Sequence, residues 1–246
     1  MAGHSKWANI KHRKGRQDAA RGKLFAKLVK AIEAAARAGG GDPIGNPTLA
    51  TAIEKAKSNS LPNDNIDRAI KRGIGEVEGA SYEEFFYEGY GPGGVAIYVH
   101  VLTDNRNRAS SDVRSTFSRN GGSLGEPGSV GYLFEQKGHF LVEGDEDDVM
   151  LVSLEAGAED VTVSGDQFEV ICAPGDFPAV KQALTATGIT IENGEVTQLP
   201  KTSVPVDAAT APKVLRLIDV LDDLDDVQEV FANFDIPDEV MAALDA

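Results

Sequence analysis

Between Gly138 and Leu199 the apolar pattern switches regularly between two periods. Residues that alternate faces read as strands, and residues recurring at three and four read as helices. The order is strand (His139 to Val142), helix (Asp145 to Ala156), strand (Asp160 to Val163), turn (Ser164-Gly165-Asp166), strand (Phe168 to Cys172), helix (Phe177 to Thr187), strand (Thr190 to Leu199). Gly165 supplies a two-strand turn and Gly188 stops the second helix. A β-α-β-β-α-β order admits few packings, and the one it predicts is ferredoxin-like.

The flanking segments are less regular. Residues 1–17 lack an apolar period and read as a flexible basic arm. Phe25, Leu28, Val29, Ile32 and Ala36 then mark one helical face from Asp18 until Gly39-Gly40-Gly41. Helices are expected over Pro47 to Lys57 and Pro62 to Arg72, with a Gly73, Gly75 and Gly79 linker after them. A second region opens at Tyr82 with a tight turn, Gly89-Tyr90-Gly91-Pro92-Gly93-Gly94. A strand (Val95 to Leu102), a helix (Asp104 to Asn120) and short strands at Ser123 to Leu124 and Val130 to Phe134 follow. After Pro200 come one helix (Ala208 to Leu221) and one strand (Val227 to Phe234). These two cannot make a fold alone, so they are expected to return to the sheet begun at Val95. The fold class expected is α+β with three domains: a basic arm plus three-helix domain (1–80), a split α/β domain (81–136 and 203–246), and an inserted ferredoxin-like domain (137–202).

Charge is distributed unevenly. The net charge is −15, yet residues 1–40 carry ten basic and two acidic side chains, whereas residues 81–246 carry nine and 31. Lys6, Lys11, Arg13, Lys14, Arg16, Arg21, Lys23, Lys27 and Lys30 are interleaved with Trp7 and His12 and interrupted by one acid, Asp18. Cations neutralise phosphates, and an aromatic ring can stack on an unpaired base. This set, Lys6 to Lys30 with Trp7 and His12, is the candidate nucleic-acid contact. The competing reading is an arm that stays solvated or pairs with the protein's own acidic body. Arg106 and Arg108 admit two readings on equal terms, a second phosphate contact or salt bridges in an acidic domain.

Other chemistries find little support. The four histidines show no metal-ligand spacing, no G-x-S-x-G elbow occurs, and Gly91-Pro92-Gly93-Gly94 lacks the lysine of a phosphate loop. Cys172, the single cysteine, reads as a buried strand residue. The run Asp222-Asp223-Leu224-Asp225-Asp226 lacks calcium-loop spacing and reads as a helix end and turn. The expectation is a non-enzyme without metal or cofactor. Cysteine usage fits a reducing, cytoplasmic setting, and no apolar run is long enough to span a membrane.

Four stretches carry a resemblance. Met1-Ala2-Gly3-His4-Ser5-Lys6-Trp7-Ala8-Asn9-Ile10-Lys11-His12-Arg13-Lys14 is similar to the opening of the YebC-type proteins. Leu61-Pro62-Asn63-Asp64-Asn65-Ile66-Asp67-Arg68-Ala69-Ile70, Tyr87-Glu88-Gly89-Tyr90-Gly91-Pro92-Gly93-Gly94 and Thr103-Asp104-Asn105-Arg106-Asn107-Arg108 match as well. Leu124 to Val130 departs, since many relatives carry a Met-Gly pair and a polar residue where Leu124 and Pro127 stand. The resemblance implies three domains around a cleft and no catalytic residues to carry over. It also implies either a DNA-binding transcriptional regulator or a ribosome-associated factor that helps translation past consecutive prolines. DNA and ribosomal RNA, with the ribosome itself, are therefore the expected partners, and no membrane.

Overall fold

The computed structural model describes residues 18–237 and residue 240. The chain divides into two compact units. One contains Val130–Asp207 with the described residues from Phe231 onward, and the other contains the described residues up to Ser129 with Ala208–Val230.

The second unit begins with three helices: α1 (Asp18–Gly39), α2 (Pro47–Ser58) and α3 (Asn63–Gly73). Leu28, Ile32, Ala35 and Ala36 of α1 are buried against Leu49, Ala56, Ile66 and Ala69. The helix ends where Gly40 takes a left-handed φ of +88° and its N–H caps the Ala36 carbonyl at 2.9 Å, a conformation costly for a side-chain-bearing residue. Asn46 then does three things at once. Its Oδ1 accepts from the Leu49 N–H and caps α2, while its Nδ2 donates to the carbonyls of Ala35 and Gly40.

Strand β1 (Glu83–Tyr90) was not visible in the sequence. Phe85, Phe86 and Tyr87 are consecutive aromatics, so no alternation announces a strand. It pairs antiparallel with β2 (Ala96–Thr103) through the Gly-Pro turn expected ahead of that strand. α4 (Arg106–Arg119) follows, with Ala109, Val113 and Phe117 buried, and then β3 (Ser123–Leu124), which pairs with β1. α7 (Ala211–Asp222) packs on α4. β9 (Val227–Ala232) lies beside β2, giving the sheet order β3-β1-β2-β9. The late helix and strand do return to the early sheet. The Gly125 to Ser129 loop is tied to β1: Glu88 accepts from Gly125 and Gly128, and the Tyr90 hydroxyl donates to Ser129.

The other unit carries β4 (Phe134–Glu143), α5 (Glu146–Glu155), β5 (Ala158–Ser164), β6 (Gln167–Cys172), α6 (Phe177–Ala186) and β7 (Thr190–Pro200). The strand order β5-β6-β4-β7, all antiparallel, is the ferredoxin-like sheet. Phe140, Val142, Val170 and Cys172 meet Val149, Val180 and Leu184 in its core, and Phe140 stacks on Phe177 at 4.4 Å. The strand expected at Val130 to Phe134 is corrected: Gly131–Leu133 forms a 3₁₀ turn and β4 starts at Phe134. A second difference is a two-stranded parallel pairing of β8 (Val204–Pro205) with β10 (Phe234–Asp235), too short to show a period.

Candidate nucleic-acid interface

Lys6, Trp7, Lys11, His12, Arg13, Lys14 and Arg16 lie outside the described residues. The remaining candidates stand on α1 and α4.

On α1, Lys23, Lys27 and Lys30 are spaced four and three apart and so share a face. That face meets the C-terminal end of α7 and the turn after it. The Lys23 ammonium pairs with the Asp223 carboxylate at 2.8 Å and donates to the Asp223 carbonyl at 3.2 Å. Lys27 donates to the Asp222 carbonyl and stands 3.5 Å from its carboxylate. Lys30 reaches the Asp225 carbonyl at 2.9 Å and the Asp226 carboxylate at 2.9 Å. The last carbonyls of a helix carry partial negative charge, so ammonium groups are stabilised there twice over. Arg21 is exposed, with its guanidinium 5.3 Å from the Phe25 ring.

On α4, Arg108 is held by the protein itself. Its guanidinium donates to both carboxylate oxygens of Asp226 and to Asp104 at 2.8 Å. These hydrogen bonds, those to Asp226 first and then that to Asp104, raise the Arg108 pKa further. Asp226 is 7% exposed at the side chain. Burial alone would raise its pKa, but hydrogen bonds from Lys30, Arg108 and Thr103 outweigh that and hold it below the ordinary carboxylate range. Arg106 remains exposed, 4.8 Å over the Phe85 ring and 3.7 Å from Glu83. Of the two readings open for this pair, the geometry supplies Arg108 with internal partners.

A crevice of about 250 Å³ opens here, lined by Lys23, Arg108, Asp112, Asp223, Asp225 and Asp226 among others. Acids outnumber bases around it, which disfavours a phosphate inside. Among the described residues no group of three or more His, Cys, Asp or Glu side chains is placed to hold a metal ion. No described helix is long and apolar enough to cross a membrane. Sequence reading missed the role of the 222–226 acidic run. Its signal was the match of three lysines on one helical face to a cluster of aspartates far along the chain.

Comparison with known proteins places this architecture. The model of the TACO1/YebC protein N-terminal domain matches residues 5–76, and that of the TACO1/YebC second and third domain matches residues 82–234. The chain belongs to the TACO1/YebC family. It is 60% identical to a Beutenbergia cavernae protein over 100% of this chain and 99% of that one, and 59% identical to a Salinispora tropica protein over 99% and 100%. Both are named "Probable transcriptional regulatory protein". A crystal structure of a conserved hypothetical protein from Aquifex aeolicus superposes with a TM-score of 0.84 at 48% identity, covering 96% of this chain and 99% of that one.

In this TACO1/YebC protein three of the four stretches that carried the resemblance serve the fold, and the first, Met1 to Lys14, lies outside the described residues. Asn63 to Ile70 opens α3. Gly93 and Gly94, at φ +75° and +76°, turn β1 into β2. Asn105 caps α4 by accepting from the Arg108 N–H at 3.1 Å.

Proposed function

We propose that this family member is a non-enzymatic, cytoplasmic regulator of gene expression that binds nucleic acid through its basic opening, in line with the names of its relatives. The observation that carries this reading is the reversal of charge along one chain, cationic over residues 1–40 and acidic beyond residue 80. With Lys23, Lys27 and Lys30 engaged internally, six of the nine candidate cations in the basic opening are left to meet phosphate first: Lys6, Lys11, Arg13, Lys14, Arg16 and Arg21. DNA is the target favoured by the relatives' names. Six contacts give a log affinity falling with log salt at a slope of about −5. Replacing Lys6, Lys11, Arg13, Lys14 and Arg16 by glutamine leaves Arg21 alone and should bring the slope to about −1. Retained affinity in that variant overturns the reading.

Ribosomal RNA is the second target, favoured by Trp7 standing among the cations, where a ring can stack on an unpaired base. Crosslinking in cells, with sequencing of bound DNA and bound RNA, separates the two. Promoter fragments dominate the reads under the first, ribosomal RNA under the second.

A further inference from the structure

We infer that the acidic end of α7 is an internal stand-in for nucleic-acid phosphate, latching α1 through Lys23, Lys27 and Lys30 until an external polyanion takes those lysines over. The inference rests on the nucleic-acid reading above and adds a second, regulated stage to it.

The chemistry of the contact is that of a phosphate clamp. Each ammonium meets a main-chain carbonyl and a carboxylate at the same turn, so the three lysines face a row of anionic oxygens. From Lys23 to Lys30 the helix rises about 10 Å. Along one strand of duplex, phosphates follow at about 3.4 Å of axis, so this row can face about three of them. The arm leads directly into α1. Phosphate held by Lys6 to Arg16 is therefore presented to this face at high effective concentration.

Opening the latch leaves no stranded charge. Asp226 keeps the two-pronged contact with Arg108 when Lys30 departs. α1 keeps its fold, because Leu28 and Ile32 are buried against Leu49 and Ile66 of its own three-helix cluster. Lys23 and Asp223 are 45% and 69% exposed, which makes that pair weak and salt-sensitive. Closed, the same aspartates repel phosphate from α1.

The test uses the full chain with Asp222→Asn, Asp223→Asn and Asp225→Asn combined, leaving Asp226 in place. Its control neutralises three acids elsewhere, Glu146→Gln, Asp147→Asn and Asp148→Asn at the start of α5. Against a 20-base-pair duplex the first variant, which frees Lys23 and Lys27 while Lys30 keeps Asp226, should bind roughly tenfold tighter, with a salt slope steeper by about 2. The control should gain far less. Equal gains in both variants, or no gain in the first, overturn the latch. An independent readout places fluorescent labels at Ala26→Cys on α1 and Lys213→Cys on α7, the native Cys172 being buried. Inorganic polyphosphate should lower energy transfer between them, and constant transfer at saturating polyphosphate overturns the latch. The nucleic-acid reading fails separately: polyphosphate then parts α1 from α7, while neutralising the arm leaves duplex binding unchanged.

Discussion

Asp226 gathers an ammonium, a guanidinium and a hydroxyl around one buried carboxylate. Its pKa is lowered on folding, so it stabilises the fold fully above about pH 4, the unfolded value. That contribution is lost as pH falls through the lower folded value. Asp226→Asn should cost about 2 kcal/mol at pH 7. In urea titrations at stepped pH the gap from wild type should shrink below about pH 4, and a gap constant down to pH 2 contradicts the assignment. Glu84, hydrogen-bonded to His100 at 2.7 Å, shifts the same way and adds to the acid limb. Glu33 poses a different case. It is 2% exposed and faces Arg72 at 3.2 Å. Arg72→Met should cost about 3 kcal/mol because an unpaired carboxylate stays buried. The double change Arg72→Met with Glu33→Leu should recover most of it in thermal melts. At this scale the sequence showed the cations but not their partners. Charge is written in composition, whereas pairs 195 to 200 residues apart in sequence depend on how the chain closes.

Helices were legible in this chain because their ends are chemically marked. Pro47 opens α2, Asp145 caps α5 by accepting from the Asp147 and Asp148 N–H groups, and glycine follows α1. β1 and the β8–β10 pairing were not, since one has no alternation and the other is two residues long. Asn46 shows how a cap can carry more than its own helix. Asn46→Ala should cost about 2 kcal/mol, from the lost cap and two buried or half-buried carbonyls left without their donor. Asn46→Asp preserves the accepting oxygen, so a simple cap predicts full rescue. The structure predicts none, because the carboxylate cannot donate to Ala35 and Gly40 and repels their oxygens. Denaturant midpoints of the two variants decide between a cap and a joint.

The ferredoxin-like segment begins and ends side by side. Phe134 and Pro200 are register partners, and the Lys201 N–H donates to the Leu133 carbonyl at 2.8 Å. With its own core of Phe140, Val142, Val170 and Leu184, the fragment 134–200 should fold alone. A cooperative thermal transition by circular dichroism is the expected outcome, and a gradual, non-cooperative melt contradicts it. Topology at this scale was readable because β-α-β-β-α-β order restricts the packings available. The strand neighbours of β9 came only from the argument that one helix and one strand need a host. That host waits a long time during synthesis. β2 ends at Thr103 and β9 begins at Val227. At about 5 to 20 residues per second, a ribosome therefore leaves one margin of the early sheet unpaired for roughly 6 to 25 seconds. The inserted segment can finish folding within that interval, so a strand made after it closes the sheet begun before it.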